Sequence, residues 1–133
     1  MTHDHLSKTR ISADARDVER VDALLEEQEA LFSQLDSLGE QQTRLVEADD
    51  AESLLTLLAE RQRLIDSIAA NNGSLAPYRM RWAAFLGELP EPERDRLRRR
   101  VDIVAELAGR IAVRDESHRA LLETRRARVA TEL

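Results

Sequence analysis

The stretch Leu45-Val46-Glu47-Ala48-Asp49-Asp50-Ala51-Glu52-Ser53-Leu54-Leu55 decides how this chain folds. Two apolar pairs, Leu45-Val46 and Leu54-Leu55, bracket acidic and small residues that leave room only for a short turn. With Asp49 as N-cap, Glu52 stands at the third helical position, an aspartate version of the capping box. Asp50 is then favourable at the positive end of the helix macrodipole. A short link between two long helical segments makes them antiparallel neighbours.

Upstream of the turn, Val18, Val21, Leu24, Leu25, Leu31, Phe32, Leu35, Leu38, Leu45 and Val46 recur at three- and four-residue steps. This is the apolar stripe of one amphipathic helix, expected over about residues 13–47 and near 50 Å long. Ser12 or Asp14 can cap it. Gln28, Gly39 and Gln42 fall on the same stripe and weaken it as a two-stranded zipper, so the helix needs more than one neighbour. Residues 1–11 are polar, carry no period, and read as a disordered tail. Within it, His3-Asp4-His5 has metal-ligating residue types but no supporting shell, so no metal site is expected.

Downstream, Leu54, Leu55, Leu57, Leu58, Leu64, Ile65 and Ile68 give a second helix over about 50–72. Asn71-Asn72-Gly73 tolerates left-handed backbone and predicts a kink or split near 71–74. A restart over 75–88 then places Pro77 in a first turn. Leu75, Tyr78, Trp82, Phe85, Leu86 and Leu89 share one face there, and Phe32 is the only aromatic residue outside this segment. The segment reads as a core plug at one end of a bundle, with a partner-binding patch as the sharper alternative. Leu89-Pro90-Glu91-Pro92 stops the chain and restarts it as a last helix over about 92–131. Its seam is apolar through Leu97, Val101, Val104, Ala108 and Ile111. Beyond Val113, Asp115, His118 and Arg125 stand where leucines belong. That distal part is expected to pack loosely. The fold class predicted is all-α, an elongated antiparallel bundle of three long helices forming a single domain over 12–133.

Composition narrows the function. Of the 133 residues 35% are charged and 3% aromatic, and there is no cysteine, which removes disulfides, thiolate catalysis and thiolate-bound zinc. No apolar run approaches the roughly 20 residues that cross a bilayer, and the N-terminus has neither the basic start nor the apolar core of a signal peptide. No membrane partner and a cytoplasmic location are therefore expected. Residues 1–72 carry net charge −9 and residues 73–133 net +3, which together give the overall −6. The simplest reading sets an acidic hairpin against a mildly basic last helix. Arg94, Arg96, Arg98, Arg99 and Arg100 form the one basic cluster. Asp95 and Asp102 lie one helical turn from Arg99 and Arg98, so nucleic acid is not an expected partner.

No catalytic constellation is present: the chain has no phosphate loop, nucleophile elbow or Glu-x-x-His pair, and no cofactor is expected. Asp49, Asp50 and Glu52 lack the spacing and central glycine of a calcium loop. Ser117-His118 superficially resembles a phospho-acceptor helix, but Arg119 and Ala120 follow where an acidic residue and a proline belong. His118 is better read as an internally paired histidine with Asp115 nearby. The chain is not expected to be an enzyme.

Two segments carry a family resemblance. Leu24-Leu25-Glu26-Glu27-Gln28 through Leu45-Val46-Glu47-Ala48-Asp49-Asp50, followed by Leu54-Leu55-Thr56-Leu57-Leu58-Ala59-Glu60-Arg61-Gln62-Arg63-Leu64-Ile65, resembles the FlgN-type flagellar export chaperones. The pattern covers roughly residues 18–69. The resemblance implies a cytoplasmic bundle of three long helices. It implies a chaperone that holds the C-terminal segment of hook–filament junction subunits and passes them to the type III export gate. Substrate binding in the family lies on the C-terminal helix. Here that points to Ile111, Arg114, His118, Arg119, Leu121, Leu122, Arg125, Arg126 and Val129, with Ile111, Leu121, Leu122 and Val129 facing a client helix and the arginines its acidic flanks. The expected partners are that amphipathic helix and export-gate components, with the chaperone itself a monomer or weak dimer. Two features depart from the family. A C-terminal tyrosine used at the gate has no counterpart, since Tyr78 is the only tyrosine, and Asp115 and His118 replace an asparagine-rich motif. The alternative is a self-associating coiled-coil structural or adaptor protein with no export role.

Overall fold

A computed structural model describes residues 14–132, and everything described between the turns is helical: α1 (Ala15–Glu47), α2 (Ala51–Arg79), α3 (Trp82–Gly87) and α4 (Glu91–Glu132). The tail expected over 1–11, with His3-Asp4-His5, lies outside the described residues. Asp14 caps α1, its carboxylate accepting the Asp17 amide at 2.9 Å.

The turn at 48–50 corrects the expected cap. Asp50, not Asp49, is the N-cap of α2, its Oδ1 accepting the Ser53 amide at 3.1 Å. That bond holds the Asp50 carboxyl below its ordinary value. Asp49 instead closes α1 from the left-handed region, at φ 57°. The Asp50 amide reaches the Leu45 carbonyl at 3.0 Å and the Asp49 amide reaches that of Val46 at 3.2 Å, the paired bonds of a Schellman motif. One aspartate therefore ends a helix and the next begins one.

The expected split at 71–74 is absent, and α2 is continuous through it. Asn71 is buried and donates to the Leu24 carbonyl at 2.9 Å, and Asn72 Oδ1 accepts from Gln28 at 2.7 Å. The asparagines cross-link α2 to α1 instead of capping a helix. Gly73 has no left-handed φ. The break falls at Met80-Arg81, soon after Pro77, whose ring removes an amide donor and crowds the carbonyl four residues earlier.

Partners along the chain fix the directions. From Leu24–Asn71 to Asp17–Tyr78 the numbers fall on α1 and rise on α2, so α2 runs back along α1 with its C-terminal end beside the start of α1. Asp22–Arg100, Asp36–Arg114 and Thr43–His118 rise together, so α4 runs parallel to α1. α1 is the spine on which both neighbours pack. The main core joins all four helices, with Val21, Leu25, Leu75, Tyr78, Phe85, Leu86, Leu89 and Leu97 buried together. A smaller core of Leu35, Ile68 and Ile111 lies further along. The charge asymmetry is spent across α1 and α4, where Arg100 pairs with Asp22 and Glu29, and Arg110 and Arg114 with Asp36. No described helix is long and apolar enough to cross a membrane.

Candidate functional site

The nine residues marked out on α4 separate into an inward set and an outward set. Ile111 is buried in the smaller core. Arg114 crosses the backbone of α1 at Gly39, donating from Nη1 to the Asp36 carbonyl at 2.9 Å and to Asp36 Oδ1 at 2.8 Å. A Cβ at position 39 would lie 2.6 Å from that Nη1, so the glycine is what lets the guanidinium lie against the helix. Arg125 donates to the Val46 carbonyl at 2.9 Å, satisfying a C-terminal acceptor of α1. The polar seam, expected to pack loosely, is docked onto α1 and α2 by directed bonds.

His118 shows the chemistry of that docking. The Thr43 hydroxyl lies 3.1 Å from the Gly39 carbonyl oxygen and 2.7 Å from His118 Nε2. A hydroxyl has one proton and a carbonyl only accepts, so Thr43 donates to Gly39 and accepts from Nε2–H. In the neutral ring this places the proton on Nε2 and leaves Nδ1 buried without a partner. Burial, the largest cause, holds the imidazole below its ordinary 6.5; Arg114 and Arg61 act the same way, and Asp115 opposes them. Asp115 itself is taken by Arg61 of α2 at 2.6 Å.

The outward set differs. Leu121, Leu122 and Val129 are 37%, 47% and 56% exposed. Arg119 is occupied along its own helix by Glu116 and Glu123, each at 2.6 Å, and those carboxylates hold its guanidinium well above its ordinary value. Arg126 is exposed and has no carboxylate partner among the described residues. Past the Arg125 contact with the last turn of α1, α4 continues through residues 126–132, about 10 Å at the helical rise. The antiparallel register set by Arg61–Asp115 brings Leu54 of α2 level with Leu122 and Leu58 level with His118. Leu55 and Leu58 are 70% and 38% exposed, so apolar surface is open on both helices at this end. Among the described residues no group of three or more His, Asp or Glu side chains is arranged to hold a metal ion.

The helical spacing of the α2 leucines does not separate the exposed Leu55 and Leu58 from the buried Leu57. Comparison with family models, curated proteins and solved structures finds no match for this chain.

Proposed function

We propose that this chain is a cytoplasmic export chaperone of the FlgN type, built as an elongated antiparallel bundle of three long helices. It binds the C-terminal helical segment of a flagellar hook–filament junction subunit and delivers it to the type III export apparatus. The observation that carries the reading is the exposure of Leu121 and Leu122 just before the Arg125 contact with the end of α1, and of Val129 on the part of α4 that continues past it. An amphipathic client helix would lay its apolar face there, in the helix-in-groove mode. Arg126 would meet an acidic flank and set register more than strength. Ile111, Arg114, His118 and Arg125 serve this face from beneath, holding α4 on α1.

Leu122→Asp combined with Val129→Asp tests the reading by calorimetry against a peptide of such a C-terminal segment. Both side chains are exposed, so the urea midpoint should stay where it is while binding is lost. Undiminished binding by the double variant sinks the assignment. The same exposed leucines favour one other reading, self-association without an export role; a mass by light scattering that grows with concentration would support it.

A further inference from the structure

Between α2 and α4, at the aromatic end, a cleft of about 310 Å³ reaches down to α1. Its floor is Leu25 and Gln28, its walls Leu75 and Arg79 on one side and Val101 on the other, and Trp82 closes it. The volume lies at the lower end of the range for small-ligand sites, about 300–1,000 Å³. Trp82 is fixed by stacking on Phe85, with ring centroids 5.9 Å apart.

The polar groups of this cleft hold a guanidinium through neutral side chains. Gln28, 1% exposed, donates from Nε2 to Asn72 Oδ1 at 2.7 Å and accepts from Arg79 Nη2 at 3.0 Å. Arg79 Nη1 donates to the same Asn72 oxygen at 3.3 Å. Two neutral amides thus hold the guanidinium in place without neutralising it, and most of its five N–H donors are left for another acceptor. Of the arginines that bridge helices elsewhere, Arg61, Arg96, Arg100, Arg110 and Arg114 each meet a carboxylate, and Arg125 meets the Val46 carbonyl. Arg79 meets no carboxylate among the described residues. A positioned cation at the rim of an apolar cleft calls for an apolar body that brings its own negative charge.

We propose that this cleft is a binding site for an apolar carboxylate, arriving as a free acid or as the C-terminal residue of a peptide. The apolar body lies among Leu75, Trp82 and Val101, and the carboxylate takes the open donors of Arg79. The site stands apart from the distal face of α4 and does not depend on the chaperone reading.

Trp82 is the chain's single tryptophan, so its emission reports on the cleft directly. The full chain is titrated with octanoate and with N-acetylleucine, and in parallel with octanamide and N-acetylleucinamide. The carboxylates should give a saturable change, and the amides should bind at least about tenfold more weakly, the worth of a charge-assisted hydrogen bond. Arg79→Gln should bring acid and amide to the same affinity, while Arg79→Lys retains part of the preference. Ala105→Leu, which fills the cleft from the α4 wall, should weaken every ligand without touching the amide network. Tighter binding of one acid identifies the source of the carboxylate. Equal affinity for acids and amides in the unaltered chain overturns the proposal, as does the absence of a saturable response. Circular dichroism checks each variant; should Arg79→Gln not fold, the acid–amide comparison and Ala105→Leu decide alone.

Discussion

The two ends of the molecule are held together differently. At the aromatic end, eight buried apolar side chains, seven from four helices and Leu89 from the link before α4, close on one another, and Tyr78 meets Phe85 edge-on with centroids 5.6 Å apart. At the opposite end, α4 is held to α1 and α2 by Arg61–Asp115, Thr43–His118 and Arg125 on the Val46 carbonyl. Apolar burial is non-directional and scales with area, so the first end gains from every methyl group it covers. Hydrogen bonds exchanged with water return little net stability but fix geometry. The polar end therefore sets the register of α4 while leaving Leu121 and Leu122 uncovered.

The largest expected effect comes from replacing one leucine at each end. Leu97, 0% exposed in the main core, should cost about 2–5 kcal/mol on truncation to alanine. Leu122, 47% exposed, should cost less than about 0.5 kcal/mol for the same change. Urea denaturation of the two variants measures both. Comparable losses would mean that the distal end is packed as firmly as the aromatic one, and the contrast would collapse.

A second test concerns the clamp between the ends. In the Arg114→Ala background, Gly39→Ala should stabilise by about 1 kcal/mol, because alanine is the better helix former. In the unaltered chain the new methyl meets the guanidinium and displaces it from Asp36, so the same change should be destabilising. The coupling expected from a double-mutant cycle is about 1.5–3 kcal/mol. Additive effects would show that Gly39 is not there for Arg114.

Much of this was legible beforehand, and the exceptions share one cause. The three- and four-residue steps through Val21, Leu25 and Leu35 gave α1 its buried face, and the proline pair at 90 and 92 marked the start of α4. The excess of arginine late in the chain pointed to charge pairing between α4 and the acidic hairpin, as at Arg100 on Asp22, but Arg114, expected on a client's acidic flank, lies on Asp36 instead. Asn71-Asn72-Gly73 misled because the side chains that cap a helix locally can also bond to a neighbouring helix, and local sequence does not separate the two. Asp115, His118 and Arg125 looked like lost packing because their partners stand 54, 75 and 79 residues away. Arg79 drew no notice for the same reason, since its cleft is assembled from all four helices.

The polar end also carries a pH signature. His118 is held neutral in the folded chain, below its ordinary 6.5, chiefly by burial. The unfolded chain therefore takes up the proton first as pH falls. The stabilising contribution is complete above 6.5 and is lost as pH drops from there through the folded value. His118→Gln should flatten that part of the stability–pH curve relative to the parent, measured by urea midpoints between neutral and mildly acidic pH. An unchanged slope would place the titration on other groups and leave the Thr43–His118 bond without this consequence.

The smallest effect tests the turn that links α1 to α2 at the polar end. Asp49 holds φ at 57°, where a side chain crowds the following carbonyl and glycine does not. The motif it closes uses backbone atoms only, through the Leu45 and Val46 carbonyls, so a glycine can close it equally well. Asp50, the residue that caps α2 with its side chain, is untouched by a change at 49. Relief of the left-handed strain, about 1 kcal/mol, exceeds what glycine loses in the more flexible unfolded chain, so Asp49→Gly should raise stability by a few tenths of a kcal/mol. Asp49→Val should lower it, because a β-branched residue resists positive φ more strongly. If glycine destabilised and valine did not, the residue would owe its place to its carboxylate, and the short link would be held by charge rather than by backbone geometry.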